Sequence, residues 1–187
     1  YAAGALGNLA ANNPDNQKVI AKAGAIEPLV ELVLSGADKQ KENAAGALVS
    51  LSINPENRMA IAKAGAIAPL VKLLTDGTNT QKENAAGALW NLSVNPENRV
   101  EIVNAGAIKP LVALVMNGSD RQKQNAAGVF SNLSINPESR MAIVEAGAID
   151  PLIELLKEGA NIQKENAAGT LMNLAATPEN RVLVAKA

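Results

Sequence analysis

One residue type that could recognise a peptide backbone recurs at a nearly constant interval along the sequence. Five segments have a glycine that follows Ala-Ala; four residues after that glycine, four of them have asparagine and one has serine. We call this set the asparagine row: Asn8, Ser50, Asn91, Asn132 and Asn173. A side-chain amide has a carbonyl acceptor and N–H donors, so each asparagine could pair with the N–H and C=O of one extended residue. The row therefore predicts peptide binding, and the alternative is that the amides bond to neighbouring helices and hold them in register.

Backbone contacts from the asparagine row would supply only part of a useful affinity. At about 0.5–1.5 kcal/mol net per hydrogen bond, four asparagines with one or two bonds each contribute a few kcal/mol. Micromolar binding corresponds to about 8 kcal/mol and would also require side-chain pockets. Because its side chain is shorter, Ser50 predicts a weaker contact in its segment.

Residues beside the asparagine row could supply such side-chain contacts. Trp90, the only tryptophan, directly precedes Asn91 and could be an aromatic anchor; the alternative is a packed ridge between helices. Glu83 and Gln124 stand four residues before the glycines of their segments. The nearby charges are those of Asp38, Glu42, Glu83, Asp120 and Glu165 against Lys39 and Arg121. This balance favours a neutral or basic segment as ligand, although acids in a first turn also stabilise a helix start unaided.

Two residue types on which many active sites depend are absent. The chain has no cysteine and no histidine, which excludes disulfides, Cys/His metal sites, thiol catalysis and a histidine general base. The remaining carboxylates, lysines and serines recur as periodic rows, whereas a catalytic site would need one singular cluster. We therefore expect no enzyme activity and no cofactor.

The charge balance and the apolar pattern exclude two further classes of partner. Lys plus Arg total 17 and Asp plus Glu total 18, so no basic excess exists to neutralise a nucleic acid backbone. No apolar run approaches the roughly 18 residues needed to span a membrane, and no signal peptide opens the chain. These features predict a soluble protein without membrane insertion, located in the cytoplasm, with the nucleus as an alternative.

The elements that must position these residues form an internal repeat. The glycines of Ala-Ala-Gly are separated by 42, 41, 41 and 41 residues, and all nine prolines follow the same period. A repeat of this length is typical of helical solenoids. We expect a partial third helix over 1–11, four repeats over 12–53, 54–94, 95–135 and 136–176, and a partial first helix over 177–187.

Each repeat predicts three helices. The first opens at Asn-Pro-Glu, where Asn can cap and Pro fits the first position, and it closes at a glycine such as Gly65 that can adopt the left-handed conformation. The second runs from a Pro-Leu-Val sequence to near Gly77 or its equivalent. The third is longest, from about 79 to 94 and from about 120 to 135. Apolar residues make up 48% and aromatic residues 2%, which favours a helical core of Ala, Leu, Ile and Val.

At 100° per residue, the third helix has two distinct faces. One is a core stripe: Ala85, Ala88, Leu89 and Leu92 in one repeat, and Ala126, Val129, Phe130 and Leu133 in the next. The opposite face holds the glycines of Ala-Ala-Gly and the asparagine row. Side by side, such helices would align the row along one surface.

The combination of these features resembles the armadillo repeat. It consists of the short first helix, the Ala-Gly-Ala-Ile turn, Pro-Leu-Val, and Asn-Ala-Ala-Gly-Ala-Leu-Trp-Asn-Leu-Ser at 84–93. The type is most similar to plant U-box armadillo proteins and the yeast vacuolar armadillo protein, and it covers residues 1–187. HEAT repeats, the alternative solenoid of similar repeat length, usually lack the short first helix and the glycine turn.

The resemblance implies an all-α fold, a right-handed armadillo superhelix whose third helices line a concave groove. In importin alpha and beta-catenin the matching asparagine holds the backbone of a bound peptide, which implies that role for Asn8, Asn91, Asn132 and Asn173. Importin alpha has tryptophans where this sequence has the glycines of Ala-Ala-Gly. Nuclear-import cargo recognition of that kind is therefore not expected.

The function predicted from all of these features is a protein–protein interaction scaffold that binds an extended, neutral to basic peptide segment. Two alternatives stay open: a consensus-like or engineered armadillo fragment with a structural role and no dedicated ligand, and the substrate-targeting arm of a larger ubiquitin ligase. The sequence begins within a third helix and ends after a first helix. We therefore expect Leu6, Leu9, Val182 and Val184 to expose core-type surface and to promote end-to-end self-association.

Overall fold

The computed structural model describes residues 1–187 as fourteen α-helices without β-strands, as predicted. The N-terminal helices are α1 (Ala2–Ala10), α2 (Pro14–Lys22), α3 (Ile26–Ser35), α4 (Asp38–Leu51), α5 (Pro55–Lys63), α6 (Ile67–Asp76) and α7 (Asn79–Leu92). The remaining helices are α8 (Pro96–Asn104), α9 (Ile108–Asn117), α10 (Asp120–Leu133), α11 (Pro137–Glu145), α12 (Ile149–Glu158), α13 (Asn161–Leu174) and α14 (Pro178–Lys186). No single helix is long and apolar enough to cross a membrane, although α8 and α9 together have the length and composition.

The short first helices begin and end at the predicted residues. The side chain of Asn54 accepts hydrogen bonds from the backbone N–H groups of Glu56 and Asn57, and Pro55 is the first helical residue. The chain then turns at Gly65, whose φ of +78° lies in the left-handed region. An added Cβ would meet no atom within 4 Å there, so glycine is required by the backbone conformation and not by lack of space.

The second and third helices differ from the predicted ranges by two residues at one end. The second helices α6 and α9 begin at Ile67 and Ile108, two residues before the expected proline, because proline in the first helical turn removes no intrahelical hydrogen bond. The third helices α7 and α10 end at Leu92 and Leu133, not at 94 and 135. The next residue in each is a serine whose hydroxyl donates to the backbone oxygen three residues earlier, Trp90 in α7 and Ser131 in α10.

Two compact units divide the chain, over 1–105 and 106–187. In the N-terminal unit, the third helices α1, α4 and α7 pack one on the next, and the second helices α3 and α6 pack against α4 and α7. The predicted core stripe on α7 is confirmed, because Ala85, Ala88, Leu89 and Leu92 have no exposed surface. The core thus lies under the third helices and holds their opposite faces outward.

In the C-terminal unit, α10 and α13 are the third helices and pack against each other. The second helices α9 and α12 pack against α10 and α13 respectively. The predicted stripe on α10, Ala126, Val129, Phe130 and Leu133, is fully buried. The division between units falls inside the repeat expected over 95–135, and the single solenoid with those repeat boundaries stays a prediction.

Candidate peptide-binding surface

The predicted site residues lie on third helices, outside the buried core. Those in the N-terminal unit are Asn8 on α1, Ser50 on α4, and Glu83, Trp90 and Asn91 on α7. Asn8 is exposed and the other four are half-buried. In the C-terminal unit, Gln124 and Asn132 on α10 and Asn173 on α13 are also half-buried. Partial exposure leaves part of each residue accessible to a ligand.

The amide nitrogens of two members of the asparagine row bond to the preceding third helix. Asn91 Nδ2 donates to the backbone oxygen of Val49 at 3.2 Å and to Ser52 Oγ at 3.1 Å. Asn173 Nδ2 donates to Ser134 Oγ at 3.1 Å. Because the Ser52 hydroxyl itself donates to Val49 at 2.9 Å, its oxygen accepts from the asparagine, and the atom facing it must be the amide nitrogen. These bonds are the ones expected under the alternative interpretation, in which the amides bond to neighbouring helices and hold them in register.

The side-chain carbonyls of Asn91 and Asn173 accept no hydrogen bond within the protein. They are therefore available to a peptide N–H, while pairing with a peptide C=O would require the amide to leave its serine. The two interpretations of the row are thus compatible in part, since one end of each amide bonds to the neighbouring helix and the other end is available.

Ser50 is the one member of the asparagine row that is not asparagine, and it follows a third helix that lacks the serine partner. Asn91 and Asn173 bond to serines that stand six residues after the glycine of the preceding third helix. Ser50 lies on α4, and the third helix before α4 is α1. The corresponding residue of α1 is Ala10, which has no hydroxyl and is fully buried. An asparagine at position 50 would therefore lack the serine that accepts its N–H. This pairing indicates that the asparagine and the serine form one contact.

A row of glutamines that the sequence analysis did not single out also connects successive third helices. Gln81 is only 2% exposed; its Nε2 donates to the backbone oxygen of Asp38 at 2.8 Å, and its Oε1 accepts from the N–H of Thr78 at 3.1 Å. Gln163 bonds in the same way to Asp120 at 2.7 Å and Ala160 at 2.8 Å. The available signal was a glutamine recurring three residues after a helix N-cap, as in a capping box.

Arginines of the first helices cap the third helices close to the asparagine row. Arg99 Nε donates to the backbone oxygen of Ser93 at 2.8 Å, and its second guanidinium nitrogen donates to that of Val94 at 3.0 Å. Arg58 and Arg140 make the same pair of bonds in their repeats. These bonds satisfy carbonyls that every helix C-terminus leaves unpaired. They hold the end of the helix that presents the amide.

Trp90 and its equivalents differ most from repeat to repeat. Trp90 is half-buried on α7 and its backbone oxygen accepts from the Ser93 hydroxyl at 2.7 Å. The residue at its position is Gly7 on α1, and on α13 it is Met172, which is 71% exposed. The anchor role of Trp90 stays a prediction.

Ionisable groups form no metal-binding arrangement on these helices. No cluster of three or more His, Cys, Asp or Glu side chains could hold a metal ion. The hydrogen bond and the charge of Lys72, 2.5 Å away, lower the pKa of the exposed Asp76. Both residues belong to α6, a second helix, so this ion pair is not part of the surface that carries the asparagine row.

Comparison with known proteins decides between the two solenoid families. The family model described as the plant U-box protein ARM repeat region matches residues 3–187. The chain belongs to the armadillo repeat family. Its fold is therefore the all-α armadillo solenoid, and the alternative HEAT assignment is excluded. No curated protein matches the sequence.

Several solved structures that resemble this armadillo protein are designed proteins. The designed armadillo repeat protein YIII(Dq)4CqI is 31% identical with a TM-score of 0.91, over 99% of this chain and 79% of that chain. A structure of computationally designed armadillo repeat proteins for modular peptide recognition has 31% sequence identity and a TM-score of 0.92, and the match again covers 99% of this chain and 79% of that chain. The designed armadillo repeat protein YIII(Dq.V1)4CPAF, in complex with the peptide (KR)4, has 28% sequence identity and a TM-score of 0.88, and the match covers 99% of this chain and 79% of that chain. The fold therefore belongs to a class that includes peptide-binding repeat scaffolds.

Proposed function

We propose that this armadillo protein is a protein-interaction scaffold whose third-helix surfaces bind an extended peptide segment. The observation that supports this most is the set of side-chain carbonyls, on Asn91 and Asn173, that accept no hydrogen bond within the protein. A designed armadillo relative in complex with (KR)4 supports the same class of ligand. No catalytic role is proposed, because the surface amides and carboxylates form no cluster that could act on a substrate.

The proposed contacts follow the repeat. Asn8, Asn91, Asn132 and Asn173 hold the peptide backbone, and Ser50 makes a weaker contact. Trp90 acts as an apolar anchor, and Glu83 and Gln124 contact peptide side chains. The excess of acids over bases around these residues favours a neutral to basic segment, and no nucleic acid or membrane partner is proposed.

Two further proposals concern the setting of the scaffold. The family match to plant U-box proteins favours a substrate-targeting role within a ubiquitin ligase, and the proposed location is the cytoplasm or the nucleus. Exposed Leu9 on α1 and Val182 on α14, 56% and 52% exposed, support self-association between copies. Sedimentation of a monomer at high concentration would contradict self-association.

Changing Asn91, Asn132 and Asn173 together to alanine is expected to weaken binding of fluorescein-labelled (KR)4 by about tenfold or more. Three lost bonds at about 0.5–1.5 kcal/mol each give this magnitude. Fluorescence anisotropy measures the affinity, and Trp90 emission reports independently on occupancy of the surface. Unchanged affinity in the triple variant would contradict the backbone-holding role.

The control must separate ligand contacts from register. Changing Ser52 and Ser134 to alanine removes the serine acceptors of Asn91 and Asn173 but leaves their amides in place. We expect these serine variants to keep the affinity for (KR)4 within about twofold, because the side-chain carbonyls remain available. If they weakened binding as much as the triple variant, the asparagines would act by positioning the helices only.

A further inference from the structure

The glycine that follows each second helix is required by close contact with the backbone. An added Cβ at Gly118, directly after α9, would lie 2.5 Å from the backbone oxygen of Leu114, which is closer than non-bonded atoms approach. The same distance recurs at the equivalent glycines, Gly36, Gly77 and Gly159. The last residue of each second helix is therefore always followed by glycine.

The residues that precede these glycines differ in their chemistry. They are Ser35, Asp76, Asn117 and Glu158, and Asn117-Gly118 is the only Asn-Gly pair in the sequence. In such a pair the backbone nitrogen of the glycine can attack the side-chain amide carbon of the asparagine, because no Cβ obstructs the closing ring. Asn117 is thus the asparagine of this chain that is most open to the reaction.

No contact within the protein holds the side chain of Asn117. It is exposed and makes no hydrogen bond. At the same position of α6, Asp76 accepts a hydrogen bond from Lys72 at 2.5 Å. The residue four positions before Asn117 is Ala113, whose side chain has no polar atom. The Asn117 amide is therefore free to turn toward the following backbone nitrogen.

The attacking nitrogen takes part in the last hydrogen bond of α9. Gly118 N–H donates to the backbone oxygen of Leu114 at 2.9 Å, and it must leave that oxygen before it can lose its proton and attack. Helix ends fray, and opening a last turn costs much less than global unfolding. The folded protein therefore slows the reaction but does not prevent it.

We propose that Asn117-Gly118 is a site of spontaneous deamidation, a modification that does not depend on the proposed peptide binding. The nitrogen of Gly118 bonds to Cγ of Asn117 and gives up its proton, which leaves with the side-chain nitrogen as ammonia. The resulting succinimide adds water from the solvent. Opening of the ring at Cγ gives aspartate, and opening at the backbone carbonyl of residue 117 gives isoaspartate. In both products a carboxylate replaces a neutral amide.

The conversion changes the end of α9. A negative charge in the last turn of a helix is unfavourable, because the C-terminal end is the negative pole of the helix dipole. Lys72 offsets such a charge at Asp76, whereas Ala113 cannot do so at position 117. Isoaspartate also adds a carbon atom to the backbone, which displaces Gly118 from its acceptor. We therefore expect faster hydrogen exchange at the Gly118 amide in aged protein than in fresh protein.

The experiment incubates the full chain at mildly alkaline pH and maps its peptides by mass spectrometry. Asn104 is the matched internal control, because it is also exposed and also the last residue of its helix, α8. The next N–H, that of Ala105, likewise donates four residues back, to Glu101 at 2.8 Å. We expect Asn117 to convert at least about tenfold faster than Asn104, since only the alanine has a Cβ that obstructs the ring. Equal rates, or no conversion of Asn117, would overturn the proposal.

A second readout tests the chemical route. Isoaspartate is detected by transfer of a labelled methyl group from S-adenosylmethionine with a protein isoaspartate methyltransferase. The peptide that contains residue 117 is expected to take up label after ageing of the unsubstituted chain. The same peptide of an equally aged Asn117→Gln variant is expected to stay unlabelled, because the longer side chain would have to form a larger ring. Aspartate at position 117 without isoaspartate, or equal label in the variant, would contradict ring closure at Asn117.

Discussion

Replacing Phe130 with alanine is expected to lower the free energy of unfolding by about 3–5 kcal/mol. Phe130 is the largest of the fully buried side chains and the only phenylalanine. Its neighbours on the same face of α10, including Ala126 and Val129, are small and fully buried. They cannot move enough to fill the space that the ring leaves. Urea unfolding followed by far-UV circular dichroism measures the change.

Phe130→Leu is the matched control for this cavity. The equivalent position holds Leu48 on α4, Leu89 on α7 and Leu171 on α13, so leucine suits this position in the third helix. We expect a loss below about 1.5 kcal/mol, because most of the apolar volume is kept. If Phe130→Ala and Phe130→Leu were equally destabilising, the loss would not come from a cavity.

Gln81→Met is expected to destabilise the N-terminal unit by about 2 kcal/mol, within the range for an unsatisfied buried group. Methionine has similar length and helix propensity but leaves the backbone oxygen of Asp38 and the N–H of Thr78 without the partners they have in the structure. Hydrogen exchange should accelerate in the first turn of α7, where Gln81 closes the cap. Urea unfolding gives the free-energy change.

Gln40→Met separates the contributions of the two hydrogen bonds that the Gln81 side chain makes. Gln40 accepts from the N–H of Ala37 at 2.8 Å, as Gln81 does from Thr78, but it is exposed and makes no bond to another third helix. The Gln40→Met variant therefore measures the contribution of the cap alone, and we expect it to lower the free energy of unfolding by less than about 1 kcal/mol. An equal effect at positions 40 and 81 would show that the bond between third helices contributes nothing.

Most of the fold could be predicted because two periods coincide in the sequence. The 41-residue period locates each repeat, and the helical period within it selects Ala85, Leu89 and Leu92 as buried. The predicted ends of the third helices were two residues too late. At Leu92 the end depends on Ser93 and on a guanidinium from the following helix, Arg99, and side-chain capping of this kind is not visible in an apolar pattern.

The candidate site was predictable in position but not in hydrogen bonding. Counting from each glycine placed Asn91 and Asn173 outside the core, and the structure has them there. The partners of their amides belong to the previous repeat, about forty residues away in sequence. A pattern within one helix contains no information about such contacts, because they depend on how far apart two helices pack.

By itself, the sequence determined the helical class, the repeat length, the buried stripe and the absence of thiol or imidazole chemistry, since these follow from residue type and local periodicity. Tertiary structure alone decided that one end of an asparagine amide bonds to a serine on the adjacent helix and the other end is available. It also decided that Gly4, Gly46 and Ser50 line an open pocket between α1, α4 and α7. Both depend on the packing of separate third helices, where side chains distant in sequence come within hydrogen-bond distance.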